Sequence, residues 1–227
     1  VPLLLTCEHA RPDLPRGMAC DIDPASAAGH VLWDPLAFDL AVLVALGTGA
    51  PLLSGQLSRA VVDLNRRAER PDVVPATSFG QPIAVNAGLD ASARQRRIAA
   101  LHAPYRRAVR AEVDRAIARG GCAHISVHSF TATLDPARRS YPLSLLFDPG
   151  RPAEVALVQA LGDAIDHALG VRPRLNEPYL GVDEGLTTWL REQFPDPAYA
   201  GIELELCHEL AGDLVEPLAA VLTGLSF

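Results

Sequence analysis

Two rhythms of apolar residues run along this chain. Short apolar stretches at residues 3–6, 123–130, 141–147 and 201–207 read as buried strands. Within two of them polar residues fall on alternate positions. His124, Ser126 and His128 share one face of the second stretch, opposite Ile125 and Val127, and Glu203 and Glu205 share one face of the fourth, opposite Ile202, Leu204 and Leu206. Longer stretches with helical spacing lie at residues 36–46, 91–119, 153–169, 186–194 and 214–222. Asp34 before Pro35 reads as the N-cap of the first helix, and Gly47, Gly120-Gly121 and Gly170 as stops. Strands interleaved with long helices predict a single three-layer α/β/α domain over residues 1–227, built on a mostly parallel mixed sheet.

The stretch from Ser58 to Arg66 breaks the pattern. Its middle, Ala60-Val61-Val62, suits a buried strand or strand pair over residues 52–65, yet Arg59, Asp63, Asn65 and Arg66 bracket it. An unpaired buried guanidinium costs several kcal/mol, so both arginines need carboxylate partners, from the protein or from a ligand. Two arginines on a stiff element also make a fork for a planar anion. Residues 67–90 show little periodicity and carry Pro71, Pro75, Gly80, Pro82 and Gly88, the signature of a long surface excursion. His102 and Tyr105 share a face of the following helix, where they either pack or line a site.

Charge and cysteine content narrow the function classes. The net charge is −7 and no basic run is present, which argues against nucleic-acid binding. No apolar run approaches the roughly 20 residues that span a bilayer. The four cysteines, Cys7, Cys20, Cys122 and Cys207, form no Cys-x-x-Cys pair, and a reduced, cytoplasmic protein is the expectation.

The titratable residues cluster at the ends of elements. His9 and His128 end two strands, Asp34 opens a helix, Glu205 rides a third strand, and Arg59, Asn65 and Arg66 flank a fourth. In open α/β sheets ligands bind at the carboxyl ends of strands. Should these ends converge, two imidazoles and a carboxylate make a three-ligand zinc site with one position open for water. A nearby glutamate then relays the proton, and the arginines seat an anionic substrate. The chemistry implied is hydrolysis of an amide that carries a carboxylate.

The ordered set Thr6-Cys7-Glu8-His9-Ala10, residues 30–34, Ser58-Arg59, Asp63-Leu64-Asn65-Arg66, Pro104-Tyr105, His128-Ser129-Phe130, Glu177-Pro178-Tyr179 and Glu203-Leu204-Glu205 resembles the N-formylglutamate amidohydrolase family. That family is similar in turn to zinc carboxypeptidases and aspartoacylases. The resemblance implies a phosphorylase/hydrolase-like fold, one zinc ion and removal of a small N-acyl group, formyl, from an acidic amino acid. By the same resemblance His9 and His128 correspond to the metal histidines, and Glu205, rather than Glu203, to the general base. Asn65 and Arg66 correspond to the pair that grips the substrate carboxylate, Arg59 and Arg139 are candidates for polarising the carbonyl or clamping the anion, and Tyr179 for contacting substrate. The relatives take their third ligand from a glutamate three residues after the first histidine, where this chain has Pro12, so the carboxylate falls to Asp34, with Glu8 as the alternative. A carboxypeptidase-like hydrolase of short peptides or cell-wall fragments, and a non-catalytic carboxylate-binding protein, are the other readings.

Overall fold

Strand β1 (Leu3–Cys7) is buried along its whole length because both of its faces are covered. Leu3, Leu5 and Cys7 pack into one apolar cluster and Leu4 into another, as expected of a strand sandwiched between helical layers. A computed structural model describes residues 1–17, 22, 29–134 and 137–227 of the chain. The sequence also predicts a loop over residues 20–28, which apart from residue 22 lies outside the described residues.

The chain continues through helix α1 (Ala37–Thr48), strand β2 (Leu52–Ser54), helices α2 (Ala91–Arg97) and α3 (Ala103–Ile117), and strands β3 (Cys122–Phe130) and β4 (Leu143–Leu146). Helix α4 (Pro152–Leu169), strand β5 (Arg174–Leu175), helix α5 (Leu186–Arg191), strand β6 (Tyr199–Cys207) and helix α6 (Val215–Thr223) complete it. Six strands form one sheet in the order β2-β1-β3-β6-β4-β5. Every pairing is parallel except that of β6 with β4. This is the expected α/β/α architecture with a mostly parallel mixed sheet.

The two sheet faces differ in chemistry. Ala123, Ile125 and Val127 of β3 and Ile202, Leu204 and Leu206 of β6 join the large core beneath α1, α4 and α6. Each valine, leucine or isoleucine among them contributes about 1.5–3 kcal/mol when fully buried. On the opposite face, beneath α3 and α5, the alternate positions Thr6, His124, Ser126, His128, Glu203 and Glu205 form a polar seam, with Thr6 and Glu203 both opposite Ser126 and Glu205 opposite His128.

Three local expectations are corrected. Only Leu52–Ser54 of the predicted strand at 52–65 is a strand, and residues 58–66 form an irregular, largely buried segment. β2 is the sheet edge, so there is no neighbouring strand to pair with. Val62 instead packs with Val73, Val74 and Ile98, and Ala60 with Val31, Leu32 and Ile83. Asp34 does not cap α1: Leu36, at φ 70°, occupies the cap position without a side-chain bond, and the Asp34 carboxylate is directed elsewhere. The helix expected over 91–119 is interrupted by a π turn at Ile98–His102, a device common near functional sites.

Arg191 ties the polar side together. Its guanidinium makes a two-pronged pair with the buried Glu154 at 2.9 Å on each prong and also donates to the carbonyls of Gly181 and Gly201. One side chain therefore holds α5, α4, β6 and the loop before α5 in fixed relation. Further into the seam, His124 lies between the Thr6 hydroxyl (2.9 Å) and the Tyr199 hydroxyl (2.7 Å). Gly201 allows this, because a Cβ there would meet the Tyr199 hydroxyl at 2.1 Å.

Burial lowers the pKa of His124 to about 4, with Arg191 and His128 acting in the same direction and Glu8 against it. Unfolded, the imidazole titrates near about 6.5, so on acidification the unfolded chain takes up the proton first. The native state thus loses stability as pH falls from about 6.5 to about 4, by about 3 kcal/mol at about 1.4 kcal/mol per pH unit. Denaturant unfolding of His124→Gln across that range should show a correspondingly flatter acid limb than the parent. An identical slope would remove His124 from the account.

Candidate active site

Because β1, β3 and β6 are adjacent and parallel, their carboxyl ends open on the same edge of the sheet. His9 follows β1, His128 lies near the end of β3, and Glu205 lies opposite His128 on β6. Asp34 is drawn to this edge by its own backbone, whose N–H donates to the His9 carbonyl at 2.9 Å. Together they line a cleft of about 250 Å³ with Arg59, Asn65, Arg66 and Tyr179. Eight of the sequence-derived candidates therefore meet in one cavity.

At its floor, Asp34 Oδ2 lies 3.2 Å from His9 Nδ1 and 2.9 Å from His128 Nδ1, with all three side chains buried. Each imidazole presents its Nδ1 to this shared point and uses its Nε2 on a second buried carboxylate. His9 Nε2 bonds to Asp63 Oδ1 at 2.8 Å, and His128 Nε2 lies 3.0 Å from Glu8 Oε2. Glu8 also accepts from the Ser126 hydroxyl at 2.6 Å and the Tyr105 hydroxyl at 2.6 Å. A carboxylate behind each ring fixes which nitrogen faces forward, the arrangement that surrounds metal-binding histidines. Glu8, the alternative third ligand, lies behind His128 on the Nε2 side, away from the point the two Nδ1 atoms share.

The electrostatics follow from this packing. Burial works to raise the carboxyl pKa values of Asp34, Asp63 and Glu8, but the imidazoles around them outweigh it, helped by Arg59 at the two aspartates and by the Ser126 and Tyr105 hydroxyls at Glu8. All three are held well below the usual carboxylate range. Burial tends to lower both imidazoles, and these carboxylates raise them instead. Glu205 behaves differently. Desolvation pushes its carboxyl up to about 8, and its Oε2 has no hydrogen-bond partner among the described residues.

The donor set fits a divalent cation. His9, Asp34 and His128 offer two nitrogens and one oxygen within 4.8 Å of one another, the ligand types of a three-ligand zinc site. Four buried carboxylates, Glu8, Asp34, Asp63 and Glu205, surround this point. Arg59 answers two of them, from Nη1 to Asp34 at 3.1 Å and from Nη2 to Asp63 at 3.1 Å. With both imidazoles neutral, as ligation requires, and Glu205 ionised, these four carboxylates outnumber the guanidinium groups of Arg59 and Arg66, and in that state the site suits a cation.

The remaining candidates are arranged around this floor. The Leu186 N–H donates to Asn65 Oδ1 at 2.6 Å, which fixes the orientation of the Asn65 amide. Arg66 pairs with Asp63 at 3.3 Å and with Asp72 and is partly exposed. Tyr179 is carried by a tight loop in which Asn176 Oδ1 accepts from the N–H groups of Phe147 and Gly181. Gly181 is needed there, since a Cβ would fall 2.0 Å from the Phe147 nitrogen. Arg139 does not line the cleft. Its guanidinium lies over the rings of Phe130 and Tyr179, at 5.5 and 5.4 Å, and donates to the Thr131 carbonyl. Tyr105 and His102 stand behind the site: Tyr105 bonds Glu8, and His102 bonds the Arg66 carbonyl at 2.7 Å. Glu203 lines the cleft, but its Oε1 accepts from the Thr187 hydroxyl at 2.9 Å.

Sequence reasoning missed the roles of Asp63, Glu8 and Ser126. A signal was available: Glu8 and Asp63 both end apolar runs, beside His9 and Arg59-bearing segments respectively, where an unpartnered acid is costly.

Comparison with known proteins gives the family and supports the fold. The model of the N-formylglutamate amidohydrolase family matches residues 1–211. The structure of gene product Atu2144 from Agrobacterium tumefaciens superposes with a TM-score of 0.80 at 27% identity, covering 98% of this chain and 86% of that one. An N-formylglutamate amidohydrolase from Ralstonia eutropha JMP134 shares the fold, with a TM-score of 0.72 at 20% identity over 98% of this chain and 90% of that one. A search of curated proteins finds no match. No helix among the described residues is long and apolar enough to cross a membrane. With its family match running over most of its length, this chain belongs to the N-formylglutamate amidohydrolase family.

Proposed function

We propose that the protein is a metal-dependent hydrolase that cleaves the amide of N-formylglutamate, or of a closely related N-acyl acidic amino acid, to the free acid and the amine. The observation that carries this is the meeting of His9, Asp34 and His128 beside an unpartnered Glu205 in a cleft that also holds Arg59, Asn65 and Arg66. His9 Nδ1, His128 Nδ1 and an Asp34 oxygen would hold one ion, zinc by its preference for this donor set. Such an ion supplies Lewis acidity toward the acyl carbonyl and brings the pKa of water toward about 7.

The protein side chains do the rest. Glu205 accepts a proton from the attacking water and returns it to the departing amine, a task suited to a carboxylate raised by burial and free of competing bonds. Arg59, held by Asp34 and Asp63, keeps a positive charge beside the developing oxyanion. The Asn65 amide and Arg66 grip the substrate carboxylate, and Tyr179 contacts the rest of the substrate, with Arg139 fixing the Tyr179 ring from behind.

The test is metal analysis of the purified protein with turnover of N-formyl-L-glutamate before and after chelation. One bound ion per chain, and formate release that chelation abolishes and zinc restores, are expected. Glutamate binding by a protein that takes up no metal would favour the carboxylate-binding reading. Cleavage of glutamyl peptides in preference to the formyl compound would favour the carboxypeptidase-like one.

A further inference from the structure

Exposed apolar side chains also line the cleft. Nine large hydrophobic residues are exposed among the described residues, and three of them, Phe79, Tyr179 and Leu180, line this one cleft. Scattered exposed apolar residues are ordinary, whereas a group gathered at a functional opening marks contact with an apolar partner. The Phe79 ring lies 5.9 Å from His30, and Tyr179 shares the Arg139 guanidinium with the buried Phe130.

Phe79 is costly where it stands. It forms, with Gly80, the two-residue turn of a hairpin between Thr77–Ser78 and Gln81–Pro82, and both turn residues have positive φ, 48° and 77°. Such turns favour Asn or Asp before Gly, and a bulky side chain at positive φ is strained. The hairpin is anchored by the Ser78 hydroxyl on the Val31 carbonyl at 2.8 Å, so the ring is held at the cleft rather than left to swing. A strained, exposed aromatic at a binding opening points to a contact made with ligand.

We infer that Phe79, Tyr179 and Leu180 form a subsite for an alkyl acyl chain, so that the substrates include N-acyl acidic amino acids whose acyl group is longer than formyl. This rests on the hydrolase reading above. The reaction is the same: water adds to the acyl carbon, the C–N bond breaks, and a fatty acid and a free amine leave.

The experiment compares N-formyl-, N-butyryl- and N-hexanoyl-L-glutamate on the metal-loaded protein, measuring kcat/KM and, by calorimetry, Kd. Each added methylene should improve both about two- to fourfold. Phe79→Asn, which suits the turn, should raise Tm by about 2–6 °C while flattening the dependence on chain length. Leu180→Ser, at a residue more than half exposed, should flatten it without a change in fold. A wild-type protein indifferent to chain length, or variants that keep the wild-type dependence, would overturn the subsite. Absence of turnover on all three substrates defeats the hydrolase reading, and the Kd series then still decides the subsite.

Discussion

Replacing Glu205 by glutamine should lower the turnover of N-formylglutamate about 10²–10⁴-fold, the usual worth of a positioned general base, with metal content unchanged. Strand alternation sends both Glu203 and Glu205 to the polar face of the sheet, and both reach the cleft. They are not equivalent. Glu203 is bonded to Thr187, whereas Glu205 has an oxygen without a partner and a pKa pushed up to about 8, chiefly by desolvation. A cation at the floor would draw that value down, toward the range where a base can both accept and return a proton at neutral pH. Glutamine keeps the size of the side chain and cannot take the proton, so KM should move little while kcat collapses. Glu203→Gln is the matched control and should act far more weakly on kcat. Steady-state kinetics with metal analysis of both variants decides: a Glu205→Gln protein with parental kcat would move the base elsewhere, and Glu203 would be next in line.

Why the sequence exposed Glu205 and concealed Asp63 is a matter of where specificity is stored. The apolar face of a buried strand announces itself by alternation, so the polar positions of β3 and β6, and with them His128 and Glu205, could be read directly. Parallel pairing of β1, β3 and β6 then brings their ends together without further instruction, which accounts for His9. The segment at residues 58–66 gives no such guidance. Its apolar residues look like a strand, but its conformation is set by long-range bonds, from Ser58 to the Leu32 carbonyl, from Arg59 to Asp34 and from Arg106 to the Leu64 and Asn65 carbonyls. Local pattern carries none of that information. Asp34-Pro35 before an apolar run has the composition of a helix start, and the same aspartate is better used against two imidazoles and a guanidinium than against the first turn of α1. Its candidacy as third ligand rests on the resemblance, which puts Pro12 where the relatives have a glutamate; its release from capping is set by the long-range contacts that local pattern does not carry.

Asp34→Asn should abolish stoichiometric metal binding, with a loss of affinity well beyond the roughly 10–100-fold expected for the residues behind the histidines. Asp34 Oδ2 is the single atom that both His9 Nδ1 and His128 Nδ1 approach, and its other oxygen is held by Arg59. Asparagine preserves the volume and the bond to Arg59 but replaces the anionic oxygen donor by a neutral amide, which is not among the usual zinc ligands. Glu8→Gln and Asp63→Asn provide the contrast. Each leaves all three forward-facing donors in position and weakens only the hold on one ring, so each should fall within that 10–100-fold range. Competition against a chromophoric chelator measures the affinities, and the thermal stabilisation by added metal gives an independent reading. In the parent that stabilisation should amount to about 2.7 kcal/mol when free metal is about 100 times Kd, and in Asp34→Asn it should vanish. Were Glu8→Gln to lose the ion more completely than Asp34→Asn, the carboxylate behind His128 would be the true ligand. The forward-facing geometry of Asp34, shared by two rings at about hydrogen-bond distance, argues for the opposite order.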